Sequence, residues 1–319
     1  MKIYKVDINP VSPFRDYPSS YTLFGAICWG YWLLYGENKL KELLQKFANN
    51  MPPFILSSIF PKNQDTYLFP KPNLKAKRDE NVSIKDYKEL KKVAYVDFEI
   101  LIEVLERKIN NEFELNLKLK DKLEKLKVSS SLKDAMPHAS IDRIYGTTEG
   151  SGQFFFEEFI AMKEGYLLIA IRDENTKKEL ESIFNLMQDI GIGGNRSIGY
   201  GKIIFGKFER FKELEDYINN QTKEFITLSP IIPEKETYDL KNSYYEYFTF
   251  RGAIDNNYDF KNVDIWKDKV IYLKEGSKLK IKENVNKNFF GLFIKTKDIN
   301  GKHIYQYGIA FPLYIQGGN

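Results

Sequence analysis

The sequence predicts an α+β protein, and three observations carry that prediction. Segments with strand and helix periods follow one another as βαββαβ across the first two-thirds of the chain. The last third is strand-rich. Between a helix and a strand lies the stretch Asp189-IGIGGNRSIGYG-Lys202, with five glycines in eleven residues. Together these give the order of a ferredoxin-like, RRM-like domain followed by a second, degenerate unit of the same kind.

The elements follow in order. Lys2 to Ile8 alternates as a strand, and Ser19 or Ser20 caps a helix over 20–35. That helix holds the most apolar run, Leu23-FGAICWGYWLL, which is too short to cross a bilayer and reads as a buried core helix. An extra helix over 39–50 puts Leu40, Leu43, Leu44 and Phe47 on one face. Strands over 153–162 and 166–172, turned at Glu164-Gly165, supply the second and third strands of the pattern. In the helix over 176–190, Leu180, Ile183, Phe184 and Met187 share a face, and the strand over 202–209 completes the domain.

Residues 73–140 do not fit this order and are read as an insertion. Residues 71–133 carry sixteen Lys or Arg against twelve Asp or Glu, an excess of +4 that equals the net charge of the whole chain. Tyr95-VDFEILIEVLERK reads as a helix, and Leu115-NLKLKDKLEKLKVSS alternates like a strand before shifting toward helix. Such a segment is either a solvated excursion or a hairpin thumb.

Phe211-KELEDYINNQ reads as a linker helix. Beyond it, Tyr244-YEYFTFRGAI alternates, and Lys269-VIYLKEGSKLKI reads as a hairpin around Glu275-Gly276. Phe289-FGLFIKT pairs with His303-IYQYGIAFPLYI around Asn300-Gly301, a favourable hairpin dipeptide. The expected domains are therefore 1–210, with the insertion at about 73–140, and 222–319.

Composition narrows the function. A chain of 319 residues is long enough for two cores. A net charge of +4 permits a nucleic-acid partner without requiring one. The single cysteine, Cys28, excludes an internal disulfide and any zinc site built on several cysteines, and it fits a reducing cytoplasm. No N-terminal targeting pattern is visible and no membrane role is expected. No cofactor is called for, and no metal: there is no HExxH, and adjacent Glu157 and Glu158 on a strand point to opposite faces.

The glycine stretch carries the chemistry. A P-loop or Rossmann fingerprint runs strand, loop, helix, so that a phosphate meets a helix N-terminus. Here the order is helix, loop, strand, and no Gly-Lys-Ser/Thr follows, which removes most support for nucleotide hydrolysis. Glycine backbone still lets a polyanion approach closely, and Arg196 and Lys202 supply positive charge. The alternative is a glycine-rich connection needed only for a tight turn.

The loop IGIGGNRSIGYGKI resembles the glycine-rich loop of the RAMP superfamily of CRISPR-associated proteins. Thr22-LFGA, Phe54-ILSSIFP, Tyr67-LFPKP, His138-ASIDRIYGTTEGSGQFFFEEF and Tyr305-QYGIAFPLYI are similar, in that order, to one branch. This is the fourth-subunit branch of type III-A (Csm) interference complexes, which caps the 5′ tag of the CRISPR RNA. The likeness runs from residue 2 to about residue 315. It implies a non-catalytic RNA-binding subunit acting in antiviral defence, with three partners: the crRNA 5′ tag, the large signalling subunit and the backbone RAMP subunit. It also implies that the insertion is a thumb reaching RNA or a neighbouring subunit.

The resulting site is an expectation of RNA contact at Gly191, Gly193, Gly194, Asn195, Arg196, Ser197, Gly199, Tyr200, Gly201 and Lys202. Backbone N–H groups of Gly191, Gly193 and Gly194 approach the tag phosphates, and Tyr200 either stacks a base or packs in the core. Arg143, in the family-like IDR motif, and His138, Arg15 and Lys71 are flanking candidates. The superfamily also contains metal-independent RNA-processing endonucleases with a His acid or base. Only His138 and His303 are available for that role here, and the glycine loop lies far from the C-terminus. A processing endonuclease and a pure assembly subunit without RNA contact remain the alternatives.

Overall fold

The structure is a computed structural model that describes residues 1–64, 66–77, 84–126, 128, 131–142, 144–148, 154–254, 264–299 and 301–317. Its frame is one antiparallel sheet. Strand β1 (Lys2–Pro10) leads to α1 (Ser20–Ala48), then to β2 (Phe54–Asn63) and β3 (Thr66–Pro70). The insertion follows as α2 (Ile84–Lys91), β4 (Tyr95–Asp97), α3 (Phe98–Leu105), α4 (Glu112–Asp121) and α5 (Leu123–Leu126). Next come β5 (Ser131–Ala139), β6 (Phe154–Met162), β7 (Gly165–Ile171), α6 (Glu174–Ile190), β8 (Ile203–Phe205), β9 (Glu209–Arg210) and α7 (Glu215–Asn219).

The sheet order is β4-β3-β2-β7-β1-β8, with β9 also on β1. The inner run β2-β7-β1-β8 is the ferredoxin-like arrangement: the first strand lies between the third and the fourth, and the second strand flanks the third. β7 is buried at every position, as a central strand covered on both faces must be. Its register runs Lys2↔Ile171 to Ile8↔Gly165 against β1, and Phe54↔Ile171 to Pro61↔Gly165 against β2.

The second strand of the pattern is therefore Phe54–Asn63, not 153–162. Residues 154–162 pair with 131–139 instead, in register from Ser131↔Met162 to Ala139↔Phe154. Both segments read as strands in isolation. The uninterrupted burial of β2 (eight residues from Phe54) against β6, where no residue is fully buried, decides which one the core takes.

α1 breaks at Gly36, whose φ of 83° and ψ of 174° leave the helical region, so the two expected helices over 20–35 and 39–50 are present end to end. Gly30 faces Ile183 of α6 so closely that a Cβ would stand 2.5 Å from its Cγ2. A side chain there would separate the two helices. α6 starts on Asp173, whose carboxylate accepts from Thr176 N at 2.8 Å.

The insertion is packed rather than solvated. Ile100, Leu101, Val104, Leu105, Leu115 and Leu119 all join the main core. β4 extends the sheet by pairing with β3, and α3 is capped by Asp97 accepting from Ile100 N. The strand reading of Leu115-NLKLK is overturned. Leu115 and Leu119 are buried four residues apart on α4 while Leu117 is exposed, and Asn111 caps that helix by accepting from Glu114 N.

The second half consists of β10 (Glu224–Thr227), β11 (Tyr247–Phe250), β12 (Val270–Leu273), β13 (Lys278–Lys280), β14 (Gly291–Ile299), β15 (Lys302–Ile309) and β16 (Pro312–Tyr314). They form β13-β10-β16, β11-β12 and β14-β15. The expected hairpin around Glu275-Gly276 is not formed, because β12 pairs with β11 and β13 with β10. The β14–β15 pairing brings Ile299 opposite Lys302; Asn300 lies outside the described residues. No α-helix follows α7 among the described residues, so the βαββαβ pattern is complete only in the first half.

The two halves share a core. Ile226, Leu228, Phe289, Tyr307, Ile309 and Phe311 belong to the same apolar cluster as β1, β2, β7, α1 and α6. Phe24 of α1 sits between them: its ring stacks on Tyr307 at 4.7 Å and meets Phe54 at 6.3 Å and Phe293 at 5.5 Å.

Candidate nucleic-acid interface

The glycine loop leaves α6 at Gly191, whose N–H donates to Met187 O at 2.9 Å. Ile192 N then donates to Gly201 O at 2.8 Å, closing residues 193–200 into an outward loop. Within it, Gly193, Asn195 and Gly199 take positive φ (83°, 62° and 94°), and Arg196–Ile198 make one 3-10 turn. The neck is closed by Gly201. Its φ is 79°, and a Cβ there would stand 2.1 Å from Ile192 O.

Alanine at Gly201 is thus expected to lower stability by at least about 2 kcal/mol, through positive φ plus backbone overlap. Alanine at Gly199, where a Cβ meets nothing within 4 Å, pays the positive-φ term alone and should do less damage. Denaturant titration of the two variants checks the ranking.

Residues 11–15 dock on this loop, a feature without a sequence signal because it has no periodicity. Val11 N donates to Lys202 O (2.9 Å), Lys202 N to Ser12 Oγ (2.9 Å) and Gly201 N to Pro13 O (2.8 Å). Phe14, buried, exchanges both backbone hydrogen bonds with Ile160 of β6. The exposed Arg15 lays its side chain along Gly194, where a Cβ would be 3.3 Å from Arg15 Cδ. One short segment therefore ties the glycine loop to the β5–β6 hairpin.

The hairpin adds a second tie. Glu157 accepts from the Asn195 side-chain amide and lies 3.6 Å from His138 Nε2. His138 stacks on Phe155 at 5.5 Å, and its Nε2 is buried without a hydrogen bond. Sequence reasoning named Asn195 and His138 but gave no role to Glu157, which links them. The hairpin surface is apolar: Phe154 and Phe156 are 65% and 66% exposed and meet edge to face.

Most expected residues gather here. Gly193, Gly194, Ser197, Gly199 and Lys202 are exposed, Asn195 and Arg196 are half-buried, and Arg15 and His138 are adjacent. Gly191 and Gly201 are buried in the neck, so they shape the loop rather than face a ligand. Tyr200 is 6% exposed with its hydroxyl unbonded, so the core-packing alternative holds over base stacking.

Lys71 is not brought to this cluster. It follows β3, near the opposite edge of the sheet, and its ammonium donates to Leu90 O at 3.1 Å, with burial pulling its pKa down. A desolvated lysine pinned to a carbonyl is not a phosphate clamp. Arg143 lies outside the described residues. Asp7 is ion-paired with Lys62 at 3.0 Å, and His303 is exposed and bonded to Asp298. No described helix is long and apolar enough to cross a membrane.

A ferredoxin-like sheet that carries a glycine loop between its last helix and its last strand defines the class. Residues 19–204 match the family model of the RAMP superfamily, and the chain belongs to that superfamily. Within it the chain falls with the Csm4 proteins of CRISPR systems. It is 31% identical over 307 residues to "CRISPR system Cms protein Csm4" of Methanocaldococcus jannaschii, covering 82% of this chain and 78% of that relative. It is 27% identical over 327 residues to the protein of the same name from Thermococcus onnurineus, covering 99% and 97%. Among solved structures it is similar in fold to a chain of a Csm3–Csm4 subcomplex of the type III-A interference complex, with TM-score 0.60, 20% identity and coverage of 98% and 100%. A chain of a Csm1–Csm4 cassette bound to pppApA matches with TM-score 0.58, 20% identity and coverage of 99% and 98%.

Proposed function

We propose that this chain is a non-catalytic RNA-binding subunit of a type III-A CRISPR effector. It holds the 5′ tag of the crRNA on the glycine loop and bridges the large subunit to the backbone subunits in antiviral defence. The observation that carries this reading is the outward loop 193–200, held open at a rigid neck and flanked by Arg15, Arg196 and Lys202. It offers a strand of phosphates close backbone approach and positive charge on one surface. The naming of similar structures as Csm1–Csm4 and Csm3–Csm4 assemblies supports the bridging part.

The thumb expected within 73–140 is, on this reading, the β5–β6 hairpin. Its exposed aromatic surface suits unpaired bases or a neighbouring subunit, whereas the helices before it belong to the core.

One gel tests the reading: purified protein, with and without its backbone partner, is incubated with end-labelled RNA bearing a repeat-derived 5′ tag. The expected result is shifted, intact RNA. Absence of any shift with either preparation counts against RNA binding and favours a pure assembly subunit. The contact between His138 and Glu157 favours one competing reading, a processing endonuclease. Cut RNA, lost on His138→Ala, would establish it.

A further inference from the structure

One residue organises the outward part of the glycine loop. Asn195 takes φ 62°, a left-handed conformation that asparagine tolerates better than most side chains. Its carbonyl accepts from Ile198 N at 3.1 Å and from Tyr200 N at 3.3 Å. The 3-10 turn and the return of the chain to the neck therefore both depend on how Asn195 is oriented. Gly193 and Gly199 on either side lend it no support, since a Cβ at either position would meet nothing within 4 Å.

The restraint on Asn195 comes from outside the loop: its side-chain amide donates to Glu157. Glu157 is fixed in turn by its hairpin. β6 pairs with β5 along all nine residues, and Ile160 exchanges backbone hydrogen bonds of 2.7 and 2.8 Å with Phe14. His138 stands opposite Phe155, on the same face of the hairpin as Glu157, with its Nε2 3.6 Å from the carboxylate. No lysine or arginine pairs with Glu157 among the described residues.

A carboxylate has the wrong charge to touch RNA phosphates, so Glu157 is not a contact for them. Its geometry instead suits it to hold the residue that shapes the loop. It does so from a hairpin that is itself anchored to the segment docked on the neck, residues 11–15.

We infer that Glu157 is a positioning residue for RNA binding. Through the Asn195 amide it holds loop 193–200 in the shape that receives phosphates, and it makes the grip of the loop depend on the hairpin. This rests on the RNA-binding reading above. The carboxylate acts through its acceptor oxygen, while its negative charge opposes the RNA.

Two substitutions separate those effects in the full-length protein. Glu157→Gln and Glu157→Ala both remove the charge, but only glutamine keeps an acceptor for Asn195. Tag-RNA affinity, measured by fluorescence anisotropy, should rise about threefold in Glu157→Gln at low salt, with the gain fading as salt screens the charge. Glu157→Ala should bind roughly fivefold more weakly than Glu157→Gln, the scale of one hydrogen bond. In an Asn195→Ala background the difference between the two variants should vanish, because the bond that distinguishes them is gone. Without RNA, the amides of Ile198 and Tyr200 should exchange with solvent faster in Glu157→Ala than in Glu157→Gln.

Equal affinities of the two variants overturn the inference. So does a difference that persists in the Asn195→Ala background, which would place the action of Glu157 elsewhere. Unchanged exchange at Ile198 and Tyr200 also overturns it, and leaves the RNA-binding reading intact when the wild type binds the tag. Wild-type protein that binds no tag RNA overturns that reading and this role with it.

Discussion

Changing Arg196 and Lys202 together to alanine is expected to weaken tag-RNA binding by an order of magnitude or more at moderate salt, with folding intact. Lys202 is exposed and Arg196 half-buried at the loop surface, and the neck that fixes the loop runs through backbone groups of residues 11–13, 192 and 201. Neither side chain is needed to close it. Each phosphate contact on a single strand contributes about 0.7 to the slope of log K against log salt. Losing both should therefore flatten that slope by about 1.4, which identifies the loss as phosphate contacts rather than general damage. Fluorescence anisotropy across a salt series measures it. A folded double variant with unchanged affinity and slope would remove these charges from the mechanism.

The largest effect on stability is expected from Phe24→Ala, about 3–5 kcal/mol, the usual cost of emptying a buried phenylalanine site. Phe24 is 4% exposed, and four rings surround it: Phe47, Phe54, Phe293 and Tyr307. Two of these belong to the first half and two to the second, and Leu56 N donates to the Tyr307 hydroxyl at 3.1 Å across the same boundary. The cavity would sit at the seam, where neither half collapses alone. Against a typical total of about 5–15 kcal/mol, such a loss is severe. Urea unfolding followed by tyrosine fluorescence and by far-UV circular dichroism should show one shifted transition in both signals. A loss below about 1 kcal/mol, or two separated transitions, would contradict a shared core.

These expectations rest on different amounts of sequence information. Local chemistry determined much by itself. The 3.6-residue period of Leu180, Ile183, Phe184 and Met187 located α6 to within two residues, and the density of glycines fixed the loop that follows it. The break between the two parts of α1 fell at Gly36, between the two periodic runs read separately. These features depend on neighbours a few residues away, so the sequence shows them directly.

Tertiary structure alone decided which strand joined which. Phe154–Met162 is the more apolar of the two candidate strands, yet Phe54–Asn63 pairs with β7, because that pairing turns on burial of both its faces, a property of the assembled sheet. The fate of Leu115-NLKLK was decided the same way, since a helix buries Leu115 and Leu119 together against the core and a strand would not. At the candidate interface, the sequence supplied the glycines, Arg196, Lys202, Arg15 and His138. It could not show Glu157 bridging Asn195 and His138, Tyr200 turned inward, or Lys71 pinned to Leu90 O. Such contacts join residues 19 to 38 positions apart. Their energies depend on burial and geometry that no local pattern encodes.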